Sequence, residues 1–352
     1  MKSKYTILFC SVLVATVQIQ ARTSSGQFLS EGFGAKSVGL GNAYGVVVSD
    51  PSAVYWNPAG LAQIYSEKKI TQKVEAPKDI DKSGGGGDDD FNKLLGEQNT
   101  SGGAANEKVE ITEPVFQFQS NSSAAMLSQG RLLYFTGVGI SAFGGGLAAG
   151  GAGTRVMGVQ NYNTQGISTG ESIYNSHAGF LGYGWGRGPV RLGVSGMGLR
   201  EEIGPGAVVN GGGLNVGAQV VVLPSLVSVA ADLKNLAAVQ SRTGGGLYDI
   251  AKLDTRFSFS IQVQAPPPNA NFKLLLGFTS NLDDLKGDGT RLNMGLAYGF
   301  NKYFYAMAGI SGSRPAVGLG IKIAKFFEMS VSANRDPLGR GFQYFGELNF
   351  TF

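Results

Sequence analysis

The sequence predicts an all-β protein, a closed antiparallel barrel of about fourteen strands that crosses a membrane with those strands. Apolar and polar residues alternate along many segments of the C-terminal half, which is the period of a β-strand. About fourteen such segments can be counted between residues 66 and 352, each close to the roughly 9 to 11 residues of a tilted membrane strand. Glycine accounts for 55 of the 352 residues and charged residues for only 15%. Glycine at this density disfavours helices.

The first 21 residues are typical of a secretory signal peptide. Lys2 and Lys4 precede an apolar run, and the small residue Ala21 stands at a plausible cleavage point. The run is shorter than the roughly 20 apolar residues of a membrane-spanning helix. The only cysteine, Cys10, lies inside the run. The mature chain, beginning near Arg22, is therefore expected to contain no disulfide.

The alternation also predicts which side chains face lipid. One segment has Phe257, Phe259, Ile261 and Val263 on its apolar face and Arg256, Ser258, Ser260 and Gln262 on its polar face. The same pattern places Leu292, Met294, Leu296, Tyr298 and Phe300 on one face of a later segment. In a transmembrane barrel the apolar face meets lipid and the polar face lines the lumen.

A soluble sandwich would show the same alternation, so the C-terminal segment decides between the two readings. One of its faces carries Phe342, Tyr344, Gly346, Leu348, Phe350 and Phe352. This segment resembles the terminal signal of bacterial outer-membrane barrels. The resemblance implies that Phe350 and Phe352 are recognised by the barrel-assembly machinery, and that the protein is a multi-pass protein of the bacterial cell outer membrane with lipid as a partner.

The segment from residue 77 to 107 breaks the strand pattern. It is acidic, rich in glycine and without periodicity, which favours a solvated extracellular loop. Asp88, Asp89 and Asp90 could be calcium ligands, but the spacing of an EF-hand and its distal glutamate are missing.

Few residues suggest catalysis, a cofactor or a metal. His177 is the only histidine, and neighbouring Ser176 would point to the opposite face of a strand, so this pair cannot form a hydrolase dyad. Another serine could still partner His177. The glycines of "GLGNAYG", from Gly39 to Gly45, depart from a dinucleotide fingerprint, and the scattered basic residues argue against nucleic acid. We predict no enzyme, no cofactor and no metal site.

The segment from Gly32 to Ala62, "GFGAKSVGLGNAYGVVVSDPSAVYWNPAGLA", resembles the N-terminal region of the FadL-like outer-membrane superfamily, especially its PorV/PorQ branch. Three elements match: the glycine-rich segment through Gly41, Ala43 and Tyr44, the step at Asp50, Ser52 and Ala53, and the turn of Asn57, Pro58, Ala59 and Gly60 after Trp56. The segment near Asp232 and Asn235 gives weaker support. The resemblance implies that residues 22–65 fold inside the barrel as a plug and that residues 66–352 form the barrel. Pro51 and Pro58 agree, because neither a long helix nor a central strand runs through prolines.

The resemblance also implies a function. The leading hypothesis is passive transport of hydrophobic small molecules such as long-chain fatty acids, which requires an apolar pocket and an inward strand kink, expected near Gly137 and Gly139. The alternative is a PorV-like adaptor that holds secreted proteins at the cell surface in type IX secretion. A barrel hydrolase is a third, weaker hypothesis.

Overall fold

The computed structural model describes residues 27–73, 108–127, 131–162, 165, 167–203, 207–243, 253–266, 271–283, 290–323, 326–336 and 341–352. The predicted signal peptide and the predicted loop at 77–107 lie outside these residues. The chain forms two compact units, one comprising residues 1–65 and 116–352 and the other residues 66–115.

The larger unit is a closed barrel of 14 antiparallel strands, which confirms the predicted fold class. Each strand pairs with the next along the chain, and β16 pairs with β3 to close the barrel. The strands are β3 (Phe118–Leu127), β4 (Arg131–Ala142), β5 (Gly145–Tyr162), β6 (Ser168–Arg187), β7 (Val190–Ile203), β8 (Ala207–Leu223), β9 (Val227–Thr243), β10 (Arg256–Gln264), β11 (Phe272–Asn281), β12 (Arg291–Gly299), β13 (Phe304–Ser311), β14 (Arg314–Ile323), β15 (Phe327–Arg335) and β16 (Phe342–Thr351).

The predicted alternation of faces is present in the barrel wall. Leu292 is 65% exposed on the outer surface, whereas the next residue, Asn293, is 4% exposed. In β16, Phe342 and Tyr344 are exposed on the outer surface and Glu347 is buried inside. The wall is therefore apolar outside and largely polar inside, as a membrane barrel requires.

Residues 27–65 fill the barrel interior as a plug of short helical pieces. These pieces are a 3₁₀ turn (Gln27–Ser30), α1 (Ala35–Gly39), α2 (Ala53–Trp56) and a 3₁₀ helix (Pro58–Ile64). Pro58 begins the 3₁₀ helix, where its fixed φ and missing N–H are tolerated. Helix α1 contacts β13 to β16, and the 3₁₀ helix contacts β4 to β8. The plug therefore packs against two separate groups of barrel strands. None of the described helices is long and apolar enough to cross a membrane.

Residues 66–115 form a separate unit, which differs from the expectation that the barrel begins at residue 66. Here β1 (Ser66–Lys73) pairs with β2 (Lys108–Val115) in a two-stranded antiparallel sheet. The barrel itself begins at Phe118. The alternation of apolar and polar residues predicts a strand but does not identify the strand with which it pairs. The sequence alone therefore does not distinguish β1 from a barrel strand.

The two ends of the barrel differ in the length of their connections. We call the turn end the one that carries Phe118, Phe352 and the connections 143–144, 188–189, 224–226, 265–271, 300–303 and 324–326. The loop end carries the connections 128–130, 163–167, 204–206, 244–255, 282–290, 312–313 and 336–341, which are longer on average.

Candidate functional site

The Asn57 to Gly60 turn is locked against the wall by close backbone contact. Asn57 is fully buried; its Oδ1 accepts a hydrogen bond from the Ala59 N–H at 3.0 Å, and its Nδ2 donates to the Ala218 carbonyl at 3.3 Å. A Cβ placed at Gly217 of β8 would lie 2.0 Å from Asn57 Oδ1, and one at Gly193 of β7 would lie 2.2 Å from the Pro58 carbonyl. The absence of side chains at these wall glycines therefore makes room for the turn.

An aromatic cluster occupies the centre of the lumen. Phe33 of the plug stacks on Phe135 of β4 with ring centroids 5.5 Å apart, and Tyr55 meets Phe180 of β6 edge-on at 6.0 Å. Trp56 packs edge-on against Tyr55 at 5.0 Å, and its Nε1 donates to the Phe33 carbonyl at 3.3 Å. This apolar cluster joins the plug to the wall.

Lys234 covers the aromatic cluster from a distorted part of β9. Its Nζ lies 4.6 Å from the ring centroid of Tyr55 and 5.4 Å from that of Trp56, within cation–π range. Asp232 pairs with the same ammonium group at 3.4 Å. Lys234 thus fixes two plug aromatics from the wall.

The distortion in β9 lies beside the plug. The β8–β9 ladder shifts register twice around Leu214, and Asn235 and Ala237 have positive φ angles of 58° and 50°. The Asn235 N–H donates to Asn215 Oδ1 at 3.0 Å, which holds the bulge. A β-bulge of this kind redirects side chains, and here it brings Lys234 and Asn235 together on the lumen side.

Lys36 of α1 connects the plug to strands β15 and β16 of the wall. Its Nζ lies 3.3 Å from Glu328 of β15, 3.6 Å from Glu347 of β16 and 3.5 Å from Asp50 of the plug. Burial alone lowers the pKa of Lys36, but the surrounding acidic groups outweigh it, in the order Tyr44, Glu347, Glu328 and Asp50, so the pKa is raised well above its ordinary value. Lys36 is therefore a stably charged tether.

Asp50 organises the segment that carries Ser52 and Tyr44. One carboxylate oxygen accepts from the Ser52 N–H at 2.9 Å, and the other accepts from the Tyr44 hydroxyl at 2.9 Å. Burial, followed by the field of Asp50, raises the pKa of the Tyr44 phenol well above its ordinary value. Tyr44 remains a hydrogen-bond donor to Asp50 at neutral pH.

The structure brings the predicted plug residues together, but it shows no strand irregularity at the predicted kink. Gly137 and Gly139 lie in β4, where pairing with β3 and β5 is unbroken, and the irregular pairing occurs in β5–β6 and β8–β9 instead. Ser176 is buried inside, donating to Glu201 at 3.0 Å, while His177 faces outward and bonds Tyr134 at 2.7 Å. The predicted separation of this pair is confirmed.

No sequence pattern predicts the roles of Lys36, Lys234, Phe33 and Phe135. The resemblance included the "AADLKNL" segment near Asp232 and Asn235 but not its bulge, because the bulge depends on left-handed residues other than glycine. Within the described residues, no group of three His, Cys, Asp or Glu side chains is placed to hold a metal ion.

Comparisons with known proteins agree on the fold. The chain is similar to the P. putida toluene transporter TodX, with a TM-score of 0.52, 12% identity and coverage of 91% of this chain and 97% of that one. It is also similar to the CymD monoaromatic hydrocarbon channel, with a TM-score of 0.53, 8% identity and the same coverage of both chains. No protein-family model matches the chain, and no curated protein matches it. These structures support the barrel fold, and nothing among them supports the PorV/PorQ branch.

Proposed function

We propose that the protein is an outer-membrane channel for passive passage of hydrophobic small molecules. The observation that carries the proposal is the aromatic cluster of Phe33, Tyr55, Trp56, Phe135 and Phe180 inside the barrel. A barrel interior built only to be sealed could be filled with polar contacts, whereas this cluster offers apolar and aromatic surface to a ligand. TodX and CymD, whose names describe a toluene transporter and a monoaromatic hydrocarbon channel, support the same class of ligand.

The barrel's outer surface and connections support a location and an orientation. Exposed apolar side chains cover the outer face of the strands, as lipid contact requires. Bacterial outer-membrane barrels have short periplasmic turns and longer extracellular loops. We therefore place the turn end in the periplasm and the loop end outside the cell.

Passage requires the plug to move. The cavity beside Tyr55, lined also by Leu29, Met197, Asn215 and Lys234, has a volume of only about 10 Å³. That is the space of about one water molecule. A hydrophobic molecule can therefore reach the aromatic cluster only after the plug or Lys234 has shifted. The β8–β9 ladder, whose register shifts around Leu214, lies next to this cavity.

A disulfide between plug and wall tests the proposal. A Cβ at Gly45 would lie 3.5 Å from Ser260 Oγ of β10, so Gly45→Cys with Ser260→Cys places two thiols within bonding reach. The mature chain contains no other thiol if Cys10 is removed with the signal peptide. Uptake of tritiated toluene and palmitate would be measured in cells that carry the protein, oxidised and then reduced.

We expect the oxidised double variant to lose uptake of at least one of the two compounds and the reduced form to regain it. The single variants Gly45→Cys and Ser260→Cys are the controls and should transport under both conditions. Uptake no greater than in cells without the protein, in wild type as well as in every variant, would contradict a channel function.

A further inference from the structure

The outer wall carries a groove that the plug and lumen do not explain. It has a volume of about 430 Å³ and opens on the lipid-facing side of β4 to β8. Its floor follows one row of paired, outward-facing residues across these five strands. The row consists of Thr136, Gly151, Gly179, Gly198 and Gly212. A Cβ at Gly179 or Gly198 would meet no atom within 4 Å, so the floor is bare backbone.

The groove lies where the outer wall changes from apolar to polar. The neighbouring row toward the turn end contains exposed Val138, Leu181 and Leu214. The neighbouring row toward the loop end contains Tyr134, His177 and Arg200, of which Tyr134 and His177 are hydrogen-bonded at 2.7 Å. In a membrane this change marks the boundary between hydrocarbon and head groups.

The dimensions of the groove suit one lipid chain. Four inter-strand steps of about 4.8 Å give a length of about 19 Å, comparable with a single leaflet of about 15 Å. Strands of such barrels tilt by about 35–45°, so the groove runs obliquely from the polar boundary into the hydrocarbon. Where its floor is glycine, the groove lets a chain approach the backbone closely, as small residues do in membrane helix packing.

The charges at the rim indicate an anionic head group. Arg200 is 60% exposed in its side chain, and Arg155 lies exposed one row further toward the loop end. Glu202 pairs with Arg200 at 3.3 Å and offsets part of this charge. A second copy of the barrel related by a two-fold axis would bring these arginines toward one another, whereas a phosphate would neutralise them.

We propose that this outer-wall groove binds an acyl lipid with an anionic phosphate head group, its chain over Gly179 and Gly198 and its phosphate at Arg200 and His177. The site is separate from the lumen and depends only on the membrane location and orientation proposed above. It would hold one lipid more tightly than the lipids around it and fix the barrel's depth in the outer leaflet.

Native mass spectrometry of the intact protein tests the proposal, with dipalmitoyl phosphatidylglycerol and phosphatidylcholine added separately after delipidation. We expect wild type to retain one phosphatidylglycerol molecule in preference to phosphatidylcholine. Gly179→Leu fills the groove and should abolish retention, and Gly198→Leu provides a second filled groove. The control is Gly346→Leu, because Gly346 faces outward on β16 with no atom within 4 Å of its Cβ position; it should bind as wild type.

The Arg200→Gln variant tests the contribution of the lipid head group separately from that of the acyl chain. One basic residue near a membrane surface contributes roughly fivefold in affinity for anionic lipid, so this variant should lose about that much preference. Retention unaffected by both Gly179→Leu and Gly198→Leu, or lost equally in Gly346→Leu, would overturn the proposal. A dimer that disappears on filling the groove would also overturn it, by identifying a second copy as the occupant. Uptake of toluene and palmitate by Gly179→Leu, expected to be unchanged, keeps this test distinct from that of the channel.

Discussion

Individual side chains help to hold the plug in place. Asn57, Lys36 and Lys234 each join the plug to the wall through contacts on which several partners depend. Removing one member leaves the other buried groups uncompensated, which costs more than the contact itself contributed.

Replacing Asn57 by alanine should loosen the plug without opening the wall. The Ala59 N–H and the Ala218 carbonyl would lose their partners, at a cost of about 1–3 kcal/mol. Hydrogen exchange of residues 53–64 would show the change as faster exchange there and none in the strands. Asn301→Ala is the control, because Asn301 caps the 300–303 turn through bonds of 2.8 and 2.9 Å, away from the plug. Equal exchange in both variants would contradict the role given to Asn57.

Alkaline pH should release the plug. Lys36 and Tyr44 both have a raised pKa in the folded protein, so the native plug holds these protons more tightly than the unfolded one. Their stabilisation is complete below the unfolded values of about 10 to 10.5 and is lost as pH rises further through the folded values. Fluorescence of Trp56, recorded in a Trp185→Phe background, should remain constant from about pH 7 to 9 and change above about pH 10.5. A change centred near neutrality would refute this assignment.

At the scale of elements, each strand presents different surroundings on its two faces. Ile261 of β10 faces outward, while Ser260 is 7% exposed and lies against Gly45 of the plug. Although Ser260 faces the polar lumen, Ser260→Arg has no room because the plug is in contact there. Ser260 is therefore a poor control for an arginine placed on the outer face.

Ile261→Arg should destabilise the barrel by about 2–4 kcal/mol near the bilayer midplane. The better control is Asn210→Arg, since Asn210 faces outward in the polar row with Arg200, where the cost falls to about 0–1 kcal/mol. Denaturant titration in lipid bilayers measures both. Similar losses in the two variants would mean that the assigned faces or the membrane boundary are wrong.

The effect of replacing a wall glycine by leucine should depend on whether that glycine faces the plug or the outside of the barrel. Gly217→Leu points into Asn57 and should displace the 3₁₀ helix, whereas Gly346→Leu points outward into open space. In planar bilayers we expect larger or noisier conductance for Gly217→Leu alone, with unchanged strand content by circular dichroism. Matching conductance in the two variants would show that the plug does not close the pore.

For the whole molecule, the side of the membrane on which residues 77–107 lie stays a prediction from composition. The segment is acidic, rich in glycine and without periodicity, which favours a solvated extracellular loop. An epitope inserted at Gly85 should therefore be reachable by antibody in intact cells. Labelling that appears only after permeabilisation would contradict this prediction.

Much of the fold could be predicted from the sequence, because alternation is a local property. The number of strands, their faces and the compact coil around Pro51 and Pro58 depend on neighbouring residues only. The boundary at Phe118 and the partners of Lys36 depend on residues more than 200 positions away. The bulge at Asn235 depends on Asn215 and Asp254, each about 20 positions away. No local pattern distinguishes β1 from a barrel strand, or indicates that Lys36 meets Glu328 and Glu347.

The closure of β16 on β3 has a consequence for how the protein folds. Phe118 and Phe352 exchange backbone hydrogen bonds of 2.9 and 2.8 Å, so the first and last barrel strands must meet across the whole length of the barrel sequence. Contacts of such high sequence separation form late, because the entropy of closing so long a loop must be overcome first. The plug precedes every barrel strand in the sequence, and it lies inside the barrel that the pairing of β16 with β3 closes. Barrel closure therefore encloses the plug, and a plug that packs badly should delay closure and leave the unpaired edges of β3 and β16 open to aggregation.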